Sequence, residues 1–500
     1  MHSIFRVTAL AMVCAASLAA HATGEAKNVI FFLGDGMGPV VVTAARFYQG
    51  EKLLAAHPGS LQSSEQAALA MQRLPVAGRV KTFSKDSQTT DSAPSMSAYM
   101  TGVKMNNEVI SMSAETQAYD PVGKQYVRGE ESNCPSGNGQ PAVTLLELAK
   151  GQGRSVGAVS TTRVGHATPA ATYAHVCNRN AYNRIAEQSV PGHPHYNQSL
   201  RDGVDVLLGG GQRNYLPQSV NPSSKRTDQV NLVAAMQAQG YTYVDSGSQL
   251  AALDAGNTRK LLGLFSQSEM AYELDRVQQK KNEPSLTEMT TKALDVLSRN
   301  PKGFFLMVEG GRIDHALHGS NAKRALEDTL AFDQAIAATL AYMEKKDPGL
   351  KNTLVVVTAD HDHNLVFNGY AKQGNPILGK VVDGSGHLSK AKDGKPYTTL
   401  SFGNGGRPGS SAASQVNAED GGKPWIAPSR GSAGRDDLTQ VDTTDDNYLQ
   451  EISINLGMPG AETHGGGDVM LFAGGAGAQI FKGTMDNTKV FFKVKQAAGL

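Results

Sequence analysis

The stretch "QTTDSAPSMSAYMTG" at residues 88–102 sets Asp91 and Ser92 directly before a small-residue run that reads as a helix start. A helix N-terminus presents unsatisfied N–H groups and partial positive charge, so it favours an anion. Ser92 is there either a cap or a nucleophile whose product anion the helix welcomes. Four further segments carry metal-ligand chemistry. Asp35 sits in "GDGMG", which superficially resembles a dinucleotide-binding turn. The G-x-G-x-x-G spacing fails, however, and a carboxylate inside it would repel pyrophosphate. "EGGRIDHALHG" supplies Glu309, then Asp314 and His318 four residues apart and so on one face of a helical turn, a spacing that suits zinc. "TADHDH" places Asp360 beside His361, with His363 on the same side of an extended segment. "ETHGGGDV" adds His464. One edge of one sheet could gather these residues into a site with ligands for two zinc ions.

The elements that would position them are legible as apolar runs ending in glycine or a polar residue. They lie at 28–38, 155–163, 204–211, 303–311, 353–363 and 468–475. Continuous apolar strands are buried on both faces, as in parallel sheets. Between them lie helical stretches such as 320–346, where Leu326, Leu330, Ile336, Leu340 and Met343 share one face. The expected fold is therefore α/β, a large and mostly parallel sheet with helices on both faces. Ligands gather at the carboxyl ends of strands in such folds. Residues 370–455 break the pattern: they are polar and Gly-rich, carry the single Trp425, and read as a crown-like insertion.

A chain of 500 residues with 40% hydrophobic and 19% charged residues is globular rather than disordered. Its formal charge of +1 gives no sign of a nucleic-acid-binding face. Residues 1–22 read as a secretory signal, with Arg6, an apolar run and an Ala20-His21-Ala22 ending, leaving 23–500 as one mature domain. Neither a membrane span nor a lipid-anchor signal follows, so the expected product is exported, periplasmic or secreted. Cys134 and Cys177 remain after cleavage, and export permits them to pair without requiring it.

The segments "NVIFFLGDGMG", "DSAPSMSAYMTGVK", "TTRVGHATPAATYAHVCNR", "VEGGRIDHALHG", "VTADHDH" and "THGGGDV" resemble, in order and spacing, the successive motifs of the alkaline phosphatases. The "DHALHG" and "TTRVGHATPA" forms are closer to animal and many bacterial members than to the enteric type. The resemblance implies hydrolysis of phosphate monoesters through a phosphoserine at Ser92, favoured at alkaline pH, and a homodimer. It implies one zinc held by Asp314, His318 and His464, and a second by Asp35, Asp360 and His361 with Ser92. Magnesium would be held by Asp35, Thr168 and Glu309, with His166 where some relatives have aspartate. Arg179 matches the arginine that grips phosphate, and Asp91, His315 and His363 fall behind the ligands or on the phosphate side. The calcium site of animal members is not carried over, because Ser266 and Val277 stand where acids are expected.

Other readings are weaker. Phosphodiesterases of the wider superfamily tend to use threonine, sulfatases need C/S-x-P-x-R, and the related phosphoglycerate mutases are cytoplasmic. A periplasmic binding protein would not explain a serine inside a metal shell.

Overall fold

The six apolar runs each form a strand of one ten-stranded sheet in the computed structural model, which describes residues 26–406, 435–456 and 460–500. In chain order the strands are β1 (Asn28–Gly34), β2 (Val76–Lys81), β3 (Ser155–Arg163), β4 (Val206–Gly210) and β5 (Thr242–Val244). They continue with β6 (Leu261–Leu264), β7 (Phe304–Gly310), β8 (Thr353–Ala359), β9 (Val469–Gly475) and β10 (Gly483–Asp486). Their order across the sheet is β10-β2-β9-β8-β1-β7-β3-β4-β6-β5. Neighbours run parallel except at β9, which is antiparallel to both β8 and β2. The mostly parallel α/β sheet expected from the sequence is what forms.

Helices cover both faces, which is why the central strands need no polar side. The relevant helices are α1 (Pro39–Ala56), α2 (Ser92–Thr101), α3 (Ala167–Tyr173), α4 (Arg312–His318), α5 (Ala322–Lys346) and α6 (Asn487–Ala498). Successive side chains of a strand point to opposite faces, and β1 shows the consequence. Phe31 meets Tyr99 of α2, while Phe32 meets Phe332 of α5, each with ring centroids 5.8 Å apart. Of the face expected on α5, Leu326, Leu330, Ile336 and Met343 are buried and Leu340 packs partly buried against the core.

Every residue of α2 is buried, so this helix has one seat. Tyr99 donates from its hydroxyl to the Ala359 carbonyl at 2.8 Å, and Ser95 donates to the Asp360 carbonyl at 2.6 Å. Both bonds fix α2 to the carboxyl end of β8. Gly102 closes the helix in the left-handed region at φ 73°, which glycine adopts without strain.

Beyond β8 the short strands Leu365–Phe367, Leu400–Gly405 and Ile452–Asn455 make a separate three-stranded sheet. This excursion docks on the main body through Ile377 N–H to Glu51, Gly374 N–H to Glu65 and Gln373 to Ser63. Trp425, much of the Gly-rich run and the expected signal segment lie outside the described residues.

Candidate active site at the carboxyl edge of the sheet

Four adjacent parallel strands, β8-β1-β7-β3, end along one edge. β1 delivers Asp35, β7 delivers Glu309, and β8 is followed by Asp360 and His361. The turn after β3 delivers His166, with Thr168 in α3. The helix after β7, α4, carries Asp314 and His318 on one face, with Asp314 Oδ1 and His318 Nε2 3.3 Å apart. His464 arrives from far along the chain by pairing its short strand, His464–Gly465, antiparallel to Asp362–His363. Thus all the residues expected to hold cations converge on one site.

Ser92 opens α2 and points into this cluster. Its Oγ lies 3.1 Å from His361 Nε2 and 3.4 Å from Asp35 Oδ1. Asp91 caps the helix by accepting from the Ala93 N–H at 2.7 Å. Arg179 donates from Nη1 to the same Asp91 oxygen at 3.0 Å, while its Nη2 lies 3.0 Å from His166 Nε2. Asp91 precedes Ser92, so the guanidinium is held at the start of α2, where a planar fork can take two oxygens of one anion. His315 lies behind the cluster, 2.8 Å from Arg312 Nη1, with its ring 5.4 Å from that of His166.

The histidine tautomers are set by backbone carbonyls. Carbonyl oxygens only accept, so Nδ1 carries the proton in His464 (to Thr90 O, 2.8 Å), His318 (to Glu462 O, 2.5 Å) and His361 (to Asp362 O, 3.3 Å). In neutral rings, each Nε2 then presents a bare lone pair to the cluster. Two such atoms, of His464 and His318, face one another at 3.1 Å. Lone pairs held that close call for a cation between them, and imidazoles oriented this way are metal-ready.

The carboxylates say the same. Burial raises the Asp35 carboxyl well above its usual range, and the charges of Asp360, Asp314 and Glu309 add to the effect. Burial likewise raises Asp360, and it pushes Glu309 up to about 7. Burial and the Arg179 charge together hold His166 neutral. Asp35 Oδ2, Asp360 Oδ2, Glu309 Oε1, Thr168 Oγ1 and His166 Nδ1 are buried without a hydrogen-bond partner in the protein. Unpaired buried acceptors are costly, and a cation is the group that satisfies several at once. The donor sets Asp35–Asp360–His361, Asp35–His166–Glu309 and Asp314–His361–His363–His464 are each compact enough for one ion. Oxygen and nitrogen donors suit zinc, and an oxygen-rich set suits magnesium.

Sequence reading missed Glu462. It is buried, accepts from the Asn364 N–H at 2.9 Å, and lies 2.5 Å from His363 Nδ1. The only local signal was its place two residues before His464. The cysteines left open by the sequence form a Cys134–Cys177 disulfide, which ties the 134 loop to the segment carrying Arg179. Ser266 Oγ donates to the Ser268 carbonyl at 2.7 Å, and no acidic metal cluster lies there among the described residues.

A serine amid carboxylates and imidazoles at the carboxyl edge of an α/β sheet is an arrangement suited to metal-assisted hydrolysis of phosphate esters. The family model for alkaline phosphatase matches residues 26–500. The chain is 35% identical over 494 residues to the tissue-nonspecific alkaline phosphatase of Rattus norvegicus, covering 94% of this chain and 83% of that protein. It is 34% identical over 494 residues to the alkaline phosphatase of Gadus morhua, covering 95% and 92%. The crystal structure of Thermus thermophilus alkaline phosphatase superposes with a TM-score of 0.63 at 28% identity, covering 95% and 92%. This chain belongs to the alkaline phosphatase family and is an alkaline phosphatase-type hydrolase.

Proposed function

We propose that the chain hydrolyses phosphate monoesters to alcohol and inorganic phosphate through a phosphoserine at Ser92, at a two-zinc, one-magnesium site, most actively at alkaline pH. The observation that carries this reading is the placing of Ser92 Oγ at the start of α2, 3.1 Å from His361 Nε2 inside the cation-binding cluster. Asp314, His318 and His464 would hold one zinc, and Asp35, Asp360, His361 and Ser92 the other. Asp35, Glu309 and Thr168 would hold magnesium, with His166 alongside. Family membership and the unpaired buried oxygens support these assignments.

Bound zinc and magnesium supply Lewis acidity, which makes an oxygen nucleophile available and offsets charge on the leaving oxygen. Ser92 Oγ attacks phosphorus in line as the ester P–O bond breaks, and the serine proton leaves with the departing alcohol. Arg179 grips two equatorial oxygens, and the N-terminus of α2 faces the same charge. Water then attacks phosphorus from the vacated side, the Oγ–P bond breaks, and Ser92 regains its proton as phosphate leaves. Loss of the serine proton and neutral imidazoles both favour high pH.

The protein is further proposed to be exported by its first 22 residues. The disulfide supports an oxidising compartment, and no helix among the described residues is long and apolar enough to cross a membrane. A homodimer is proposed on the family resemblance. Val366, Phe367, Tyr370 and Ile454 are exposed on the excursion and offer apolar area for a second copy to cover.

The test is steady-state release of p-nitrophenol from its phosphate monoester at alkaline pH, before and after chelation and after restoring zinc and magnesium. Sustained turnover that is lost to chelator and regained with metal is expected. Release of at most one equivalent from folded, metal-loaded protein contradicts the reading.

A further inference from the structure

We infer that Glu462 is the positioning residue for the zinc ligand Asp314, acting through His363 in a buried carboxylate–imidazole–carboxylate chain. The inference rests on the two-zinc reading above.

Glu462 is 1% exposed and His363 2%, so neither is there for solubility. The two nitrogens of His363 point at two different acids: Nδ1 lies 2.5 Å from Glu462 Oε2, and Nε2 lies 2.8 Å from Asp314 Oδ1. Each ring nitrogen is thus within hydrogen-bond distance of a different carboxylate oxygen, so the ring bridges the two acids. The backbone at Gly36 packs closely on the ring, where an added Cβ would lie 2.5 Å from His363 Cδ2. The other Glu462 oxygen accepts from Asn364 N–H at 2.9 Å, which fixes the carboxylate itself.

The chain thereby sets where Asp314 Oδ1 points. That same oxygen lies 3.3 Å from His318 Nε2 and 3.5 Å from His464 Nε2, at the centre of the expected zinc donors. The Glu462 carbonyl also receives the His318 Nδ1 proton. One residue thus orients two ligands, and the third, His464, follows it two residues later. A buried acid kept only to staple two segments together lowers the stability of the metal-free fold when it is replaced and leaves metal affinity alone. A buried acid that orients a ligand changes metal affinity as well, typically about 10- to 100-fold.

The experiment strips the purified protein of metal and titrates it with zinc against a chromogenic chelator. The parent is compared with Glu462→Gln, Glu462→Asp, His363→Gln and the double variant Glu462→Gln/His363→Gln. Each single variant is expected to weaken one zinc equivalent about tenfold or more and to leave the other unchanged. The visible spectrum of cobalt(II) at the affected position should shift, because it reports ligand geometry. The double variant should lose no more than the worse single variant, since both act on one chain.

If Glu462→Gln does not fold, Glu462→Asp decides the matter, as it keeps the charge and withdraws the oxygen by one methylene. Folded variants with parental zinc affinity, or with a lowered metal-free melting temperature alone, would reduce Glu462 to a structural staple and overturn the inference. So would losses that add in the double variant. A parent protein that binds no zinc overturns the two-zinc reading instead, and this inference falls with it.

Discussion

One oxygen of Asp91 serves two masters: Oδ1 accepts from the Ala93 N–H at 2.7 Å and from Arg179 Nη1 at 3.0 Å. The first bond starts the helix at Ser92, and the second sets the guanidinium beside it. The proposed nucleophile and the proposed phosphate grip are therefore held in register by one carboxylate.

Asp91→Ala removes both bonds. Loss of the cap should cost about 1 kcal/mol of stability, read as a lowered melting temperature. Arg179 then has to be ordered by substrate at about 1 kcal/mol, so KM should rise roughly fivefold. The turnover number should change less than KM. A loss confined to kcat would argue against the shared register.

Arg179→Lys keeps the charge and loses the fork. Lysine offers a point charge where two oxygens need parallel donors. kcat/KM should fall about 100-fold, within the range found when one oxyanion donor is removed. Inorganic phosphate should become a weaker competitive inhibitor. Parental inhibition by phosphate would place Arg179 outside the substrate site.

Gly36 has φ 66°, and its Cβ position lies 2.5 Å from His363 Cδ2 and 3.4 Å from the Asp314 Cα. Gly36→Ala combines backbone strain with a clash against the imidazole. A cost of about 1–3 kcal/mol is expected, together with weakened zinc retention. Parental melting and parental zinc retention together would show that the two segments can move apart freely.

Glu51 links α1 to the excursion by accepting from the Ile377 N–H at 2.6 Å. Burial pushes its carboxyl up to about 7, although the Ile377 bond works in the other direction. The folded protein thus holds this proton more tightly than the unfolded chain, whose value is near 4.5. Its contribution to stability is present below 4.5 and lost as pH rises through about 7. Glu51→Gln keeps an acceptor without the charge, so its melting temperature should gain on the parent between those values and hold the gain above them. Parallel curves across that window would sink this account.

Much of the site was legible because its residues sit just after apolar runs. Asp35, Asp360 and His361 follow strands directly, and Asp314 with His318 shows its common face in the spacing alone. Arg179 was not readable from its own surroundings, since an isolated arginine in a loop looks like any surface cation. It came from the family resemblance. Glu462 escaped because its partner, His363, is 99 residues away and no periodicity joins them. The same holds for the cysteines, whose Cα atoms lie 6.1 Å apart across a separation of 43 residues.

Strands were missed for a different reason. β2 alternates buried and exposed residues, with Ala77, Arg79 and Lys81 outward, so it never forms an apolar run. β5 and β6 are three and four residues long, too short for a pattern to declare itself. Such strands are recruited by the sheet that already exists beside them, a tertiary effect that local sequence does not carry.

The central claim is that Ser92 carries the phosphoryl group, and the direct measurement is to catch it there. Metal-loaded enzyme turning over p-nitrophenyl phosphate is quenched in acid, digested, and the peptide containing residues 88–102 is analysed by mass spectrometry. The account predicts a phosphoryl adduct on Ser92 that vanishes in Ser92→Ala together with turnover. An active parent enzyme with no adduct on Ser92, or a fully active Ser92→Ala, would contradict it.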